Sequence, residues 1–359
     1  MHLPPPVHGA AMAGNYIKTS SIINDQIDAV YVNLATNVKL NQSGKGSFKK
    51  IITFFRLIRR VLSELIRHKF DVCHMSLTAS GLGFYKDVII VALLKLFNVN
   101  IIYHFHNKGV SQFSQGRINN LLYKFVFRNT KSILLSRYLY PDIQSYVKEV
   151  DVYYCPYGIP ETAVDLSKRA KTGPCILLYL SNMMLQKGVY VLVDAIKDLK
   201  KRGVSFECHF VGAWADIGEK DFERKILGAN LSDVVFVHGP KYGNDKEDFL
   251  NKAEVFVFPT FYHFETFGIV NLEAMQHSLP IVSTPEGGIS DIVMENETGF
   301  LVPQNDSKQL ADKLEILIRN PELRIEMGIK GRERYQNLFT LARFETTLVK
   351  ILKEAALSS

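Results

Sequence analysis

Phe264-Glu265-Thr266-Phe267-Gly268-Ile269-Val270-Asn271-Leu272-Glu273 follows Val255-Phe256-Val257-Phe258-Pro259-Thr260 and runs on into Ala274-Met275-Gln276-His277. The first of these flanks is a short, β-branched and aromatic run, and the last continues a helical pattern. The order therefore predicts strand, loop, then helix, with Gly268 near the helix start. Glu265 falls in the loop beyond the carboxyl end of a strand, where open α/β sheets take ligands. Glu273 falls one to two turns into the helix, whose first-turn N–H groups suit a phosphate. Two glutamates on one helix commonly mark a solvated face, but the residues between these two are apolar or small.

Short apolar runs alternate with longer helical patterns along the whole chain. Strand candidates are Ala29–Leu34, Val72–Met75, Ile101–His106 and Ser132–Leu135, then Ile176–Leu180, Glu207–Val211, Val234–His238, Val255–Phe258 and Ile281–Ser283. Helical patterns such as Tyr190–Lys200 and Ile269–His277 lie between them. This alternation predicts an α/β protein with parallel, doubly wound sheets. Linker composition between Pro160 and Pro174 places a boundary there, and Pro321 to Leu357 reads as two or three helices.

Glu265 through Glu273 resembles the E-x7-E signature of retaining glycosyltransferases of glycosyltransferase family 4. Other segments resemble that family in the expected order. They are Leu177–Asn182 with Gln186-Lys187-Gly188, Phe210-Val211-Gly212, Val237-His238-Gly239, Pro280–Thr284 with Glu286-Gly287-Gly288-Ile289, and Thr298–Val302. In the first half, His2–Ala10 and His104-Phe105-His106-Asn107 also fit. The resemblance implies the GT-B fold: two Rossmann-like, doubly wound domains facing across a cleft, with a C-terminal helix crossing back to the first. The expected domains are 1–165 for the acceptor, 170–335 for the nucleotide-sugar donor, and 336–359 as the returning helix.

The same resemblance implies roles for particular residues. Glu265 would approach the sugar's hydroxyls, with the backbone N–H groups of Phe267, Gly268 and Ile269 nearby, and Glu273 would accept the ribose hydroxyls. Lys187 would reach the donor diphosphate, though an exposed loop lysine is the plainer reading. Where the family usually has an arginine five residues earlier, this chain has Asn182, which hydrogen-bonds but cannot neutralise charge. His106 would contact the transferred sugar, and His104 shares its strand face. Gly9, after His8, would lie near acceptor and phosphate, or simply in a turn after three prolines. Base selection would depend on the backbone around Val237. The two glutamates are not a glycosidase-type pair, since eight helical residues span about 12 Å. No DxD motif is present, so a metal-independent reaction with no cofactor is expected, the nucleotide sugar being a co-substrate.

Composition bounds the alternatives. A chain of 359 residues that is 47% hydrophobic and 22% charged is long enough for two soluble domains. Cys73, Cys155, Cys175 and Cys208 lack metal-type spacing and read as reduced thiols. No secretory signal is visible, and the most apolar stretch, Val88 to Phe97, is interrupted by Lys95 and too short to span a bilayer. A cytoplasmic protein is expected. Residues 1–165 carry 19 Lys/Arg against 10 Asp/Glu, whereas residues 166–359 carry 24 against 26. A basic first half favours an anionic partner, and without a nucleic-acid motif that partner is expected to be a lipid surface or a phosphorylated substrate.

Residues 47–69 sharpen this expectation. They form a basic amphipathic pattern whose apolar face collects Phe48, Ile51, Phe55, Ile58, Leu62 and Leu65. Either the helix packs on a core with a solvated basic face, or it meets an anionic membrane, making the protein peripheral on the membrane's inner face.

The chain opens inside the loop that an apolar first strand normally feeds in this family. The expectation is a misassigned start or compromised folding. The expected activity is transfer of a sugar to a hydroxyl acceptor, a lipid-linked or envelope glycan. The alternatives are a sugar-nucleotide epimerase, which needs other carboxylates, an α-glucan phosphorylase, which needs far greater length, and a nucleotide-sugar-binding scaffold without catalysis.

Overall fold

The computed structural model describes residues 1–4, 9–35, 48–169 and 172–357, without the side chains of residues 48–51. The expectations for His8, Ser47 and the linker residue Lys171 lie outside these. Two compact units form: Met1–Gly158 with Leu341–Ser359, and Ile159–Thr340.

The first unit opens with α1 (Gly9–Thr19), α2 (Ser21–Asn24) and the long α3 (Phe48–Arg67). There follow β1 (Cys73–Ser76), α4 (Gly81–Leu96), β2 (Ile101–His104), α5 (Val110–Phe113), α6 (Arg117–Phe127), β3 (Lys131–Leu134) and β4 (Val152–Tyr154). The four strands pair in parallel in sequence order. All four residues of β2 are buried, as a strand covered on both faces requires.

One expectation fails here. Ala29–Leu34 is extended but does not join the sheet. Among the described residues, its backbone-to-backbone hydrogen bonds are with Met1, whose N–H donates to Val32 O at 3.1 Å and whose carbonyl accepts from Leu34 N at 2.9 Å, while the side chains of Arg60 and Lys86 donate to Tyr31 O and Leu34 O. A largely apolar cavity of about 180 Å3, lined by Val30, Val32, Leu34, Val72 and Met75 among others, lies where pairing with β1 would need contact. On α3 one apolar stripe packs on the core, while part of the apolar face noted in residues 47–69 stays exposed. Leu57, Val61 and Leu65 are buried, at a spacing of four, while Phe55 is 66% exposed. The packing of α3 against α4 selects that stripe from a helix that is apolar on more than one side.

The second unit runs β5 (Cys175–Leu180), α7 (Val189–Lys201), β6 (Phe206–Val211), α8 (Glu219–Gly228), β7 (Val235–Val237), α9 (Gly243–Lys252), β8 (Val255–Phe258), α10 (Ile269–Gln276), β9 (Ile281–Ser283), α11 (Ile289–Ile292), β10 (Gly299–Leu301), α12 (Ser307–Arg319) and α13 (Pro321–Leu338). Its six parallel strands stand in the order β10-β9-β8-β5-β6-β7. The chain builds outward from β5 to β7, then returns to lay β8 against the other side of β5. Strand order therefore reverses between β5 and β8. The last helix, α14 (Leu341–Leu357), belongs to the first unit, where Phe344 lies beside His104.

Candidate active site

The loops after β5 and β8 meet at the point of reversal, the crevice where doubly wound sheets bind ligands. Phe261 N donates to Gln186 O at 2.8 Å, tying the two loops together. Gly188 makes this approach possible. Its φ is +81°, and a Cβ there would stand 2.0 Å from Pro259 O. Any other residue would push the loops apart or strain the backbone.

Lys187 and Glu265 come from these two loops and meet. Lys187 Nζ lies 2.5 Å from Glu265 Oε2, and both side chains are about 15% exposed. The ammonium also sits over the rings of Tyr262 and Phe258, 4.6 and 5.5 Å from their centroids. Glu265 Oε1 accepts the N–H of Gly268 at 3.2 Å. Gly268, at φ +71°, caps α10 without a side-chain hydrogen bond, so no side-chain cap occupies the Ile269 and Val270 amides beside the carboxylate, while the Asn271 amide donates to Gly268 O at 2.9 Å.

A third loop supports this corner from below. Gly288 N donates to Thr266 O at 2.8 Å, and a Cβ on Gly287 would stand 2.4 Å from Glu265 O. Of the other expected residues in this loop, Phe267 is buried and faces Phe339, and Ile269 opens α10. Asn182 is exposed beyond β5, and its side chain makes no hydrogen bond among the described residues. Val237 ends β7 and is partly exposed.

Glu273 has a different lysine. Lys246, from the start of α9, donates to Glu273 Oε1 at 2.9 Å. Neighbouring Glu247 stands 4.0 Å from that ammonium, and its other oxygen lies 2.9 Å from Nε2 of buried His277. Nδ1 of the same imidazole lies 2.8 Å from Glu273 O. Burial pulls His277 below the ordinary imidazole range. Sequence reasoning missed Lys246 and Tyr262. Neither carries a local signal, since Lys246 stands 27 residues from its partner on a separate helix.

In the first unit, His106 lies beyond β2, partly exposed, with Nδ1 2.5 Å from the hydroxyl of Tyr157. His104 is fully buried and shares a 3.0 Å hydrogen bond with His74. Burial, and then the neighbouring His106 and His74, hold the His104 imidazole well below its ordinary value. Gly9 is exposed at the start of α1. Among the described residues, no cluster of three or more His, Cys, Asp or Glu is placed to hold a metal ion.

Comparison with known proteins agrees with this architecture. Solved structures share it along most of the chain. HepE of Anabaena, solved in complex with UDP, superposes with a TM-score of 0.68 at 18% identity, covering 83% of this chain and 82% of that one. Sucrose-phosphate synthase of Thermosynechococcus elongatus gives 0.65 at 20% identity, covering 90% and 84%. The fold is GT-B. Residues 164–334 match the family model described as glycosyl transferases group 1.

Among curated proteins, the capsular polysaccharide biosynthesis glycosyltransferase CapM of Staphylococcus aureus is 32% identical over 165 residues, 46% of this chain and 42% of that protein. The putative colanic acid biosynthesis glycosyltransferase WcaL of Escherichia coli is 30% identical over 175 residues, 45% and 42% respectively. Each match thus spans about two fifths of the relative's length.

Proposed function

We propose that the chain is a retaining glycosyltransferase of glycosyltransferase family 4, moving a sugar from a nucleotide diphosphate donor to a hydroxyl of a glycan or lipid-linked glycan. The observation that carries this reading is the Lys187–Glu265 pair at the point where strand order reverses. Two helices, α7 and α10, begin directly behind these residues with glycine caps and no side-chain caps. Lys187 and those helix ends supply positive potential for the leaving diphosphate. Glu265, held by Lys187 and Gly268, is oriented toward the sugar, and Glu273 serves the ribose. The diphosphate itself helps deprotonate the acceptor on the same face, and transfer proceeds without a divalent metal. His106 and Gly9 are the sugar- and acceptor-side groups of the first unit.

The acceptor class is supported by CapM, named for capsular polysaccharide biosynthesis, and WcaL, named for colanic acid biosynthesis, and the donor class by the UDP complex of HepE. Among the described residues, no helix is long and apolar enough to cross a membrane. The basic α3 suits a cytoplasmic protein peripheral on the anionic inner face of the cell membrane.

Thermal shift tests the reading with UDP, GDP, ADP and TDP, then UDP- and GDP-sugars, each with magnesium or with chelator. A rise confined to one base and indifferent to magnesium supports it and identifies the base. No response from a protein that melts cooperatively overturns it.

A further inference from the structure

Helix α4 places Leu82, Tyr85, Ile89, Ala92 and Leu96 at steps of three and four, the spacing of one helical face. On an ordinary surface helix that face would be buried. Here it is the exposed one, with Leu82 at 69%, Ile89 at 47% and Leu96 at 75%. The opposite side of α4 fills the core with Phe84, Ile90, Val91 and Leu94. Helix α6 repeats the arrangement. Ile118 and Leu121 are 71% and 69% exposed, and Phe125 follows on the same face, while Tyr123, Val126 and Phe127 are buried.

The two stripes adjoin. Tyr85 Oη donates to Asn119 Oδ1 at 2.8 Å near the start of both helices, and Lys95 lies over the Phe125 ring toward their ends. α4 and α6 therefore run side by side in the same direction and present one continuous apolar surface. Soluble proteins seldom leave such a surface open unless something covers it.

Charge identifies what covers it. From Gly81 to Lys131 there are seven lysines and arginines and one acid, Asp87. Asp87 is fully buried, accepting from Thr78 N at 2.9 Å and pairing with Lys86 at 3.3 Å. Arg117 and Lys124 are exposed on α6 itself, and Arg128 is exposed just beyond its end. An apolar strip bordered by cations without surface acids matches the boundary between acyl chains and anionic headgroups.

We propose that the α4–α6 face of the first unit is a bilayer-docking surface, which lies on an anionic membrane and inserts Leu82, Ile89, Leu96, Ile118 and Leu121 among the lipids. This deepens the membrane partner proposed for α3, which packs against α4 and adds exposed Ile52, Phe55 and Ile66. It does not depend on the donor site. The Val88–Phe97 stretch, too short to cross a bilayer, acquires a role in lying along one.

Sedimentation of the full chain with vesicles tests the proposal, using phosphatidylcholine alone and phosphatidylcholine mixed with phosphatidylglycerol. The native chain is expected to partition onto the mixed vesicles. Ile89→Ser with Leu121→Ser should reduce partitioning about tenfold or more, since each removes an apolar side chain from the lipid. Leu227→Ser, at an equally exposed leucine of α8 in the second unit, should not. Both sites are exposed, so melting temperature should hold, and UDP or GDP thermal shifts report the donor site separately. Partitioning unchanged in the double variant overturns the proposal. So does a lipid-free dimer abolished by that variant, which would make the occupant a second copy of the chain. Loss of nucleotide response with vesicle binding intact would sink the donor reading and leave this one standing.

Discussion

Lys187 and Glu265 are 78 residues apart in sequence and 2.5 Å apart in space, and each neutralises the other where strand order reverses. The proposed function gives one of them to a diphosphate and the other to a sugar. The ion pair must therefore loosen as the donor enters, and the two charges affect binding in opposite directions. Lys187→Ala should weaken nucleoside diphosphate binding by about 1.5–3 kcal/mol, the scale of a hydrogen bond to a charged group. Glu265→Gln frees the ammonium, so it should leave that affinity unchanged or improved while sugar transfer collapses. Calorimetric titration of both variants decides. Equal weakening in the two would mean that the pair is structural.

Glu273 invites a narrower test. Its Oε1 is held by Lys246, and the carboxylate makes no other hydrogen bond or ion pair among the described residues. Glu273→Ala should weaken nucleotide binding by about 1–3 kcal/mol, with a smaller loss for the 2′-deoxy nucleotide if ribose is what the carboxylate meets. Identical losses for both nucleotides would count against the ribose role.

The close approach of the β5 and β8 loops can be probed through stability. Gly188 and Gly203 both adopt positive φ, but a Cβ on Gly203 would meet nothing within 4 Å. Gly203→Ala should cost about 1 kcal/mol from backbone strain alone. Gly188→Ala adds the collision with Pro259 O and should cost about 2–4 kcal/mol. Urea unfolding of the two variants compares them directly. Similar midpoints would show that the loops separate freely.

The second unit was the more legible half in sequence. Its central strands β8 and β9 are buried on both faces and read as plain apolar runs, so Ile281–Ser283 and Val255–Phe258 match their expected bounds. Glu265 stood out by its place in a loop beyond a strand end, whereas the role of Lys187 came only with the family resemblance. The partner of Glu273 did not stand out, because a contact between two helices leaves no periodic trace in either. Ala29–Leu34 misled because an apolar alternating run specifies extended backbone but not a pairing partner. The buried stripe of α3 stayed open in sequence because its apolar residues exceed one stripe, and only packing against α4 chose among them. The apolar face of α4 was visible as hydrophobicity, yet nothing in sequence told its buried side from its exposed one.

Acid should destabilise this protein through histidines that cannot charge where they sit. Burial lowers His74 to about 3 and holds His104 well below the ordinary range. His209 and His238 are lowered for the same reason in the second unit. A histidine depressed in the folded state binds its proton first in the unfolded chain, near pH 6.5. Between that value and the folded one, the unfolded state carries more protons, so stability rises with pH and falls on acidification. Above pH 7 the effect is absent. With its folded value near 3, His74 should contribute a slope of about 1.4 kcal/mol per pH unit once the medium is well below 6.5. Urea midpoints followed by circular dichroism from pH 7 to pH 5 measure the total. His104→Gln removes one titrating group, so its stability should depend less steeply on pH than the native chain's, whatever the substitution costs at pH 7. Parallel curves would mean that His104 charges without unfolding, contrary to its burial between His74 and His106.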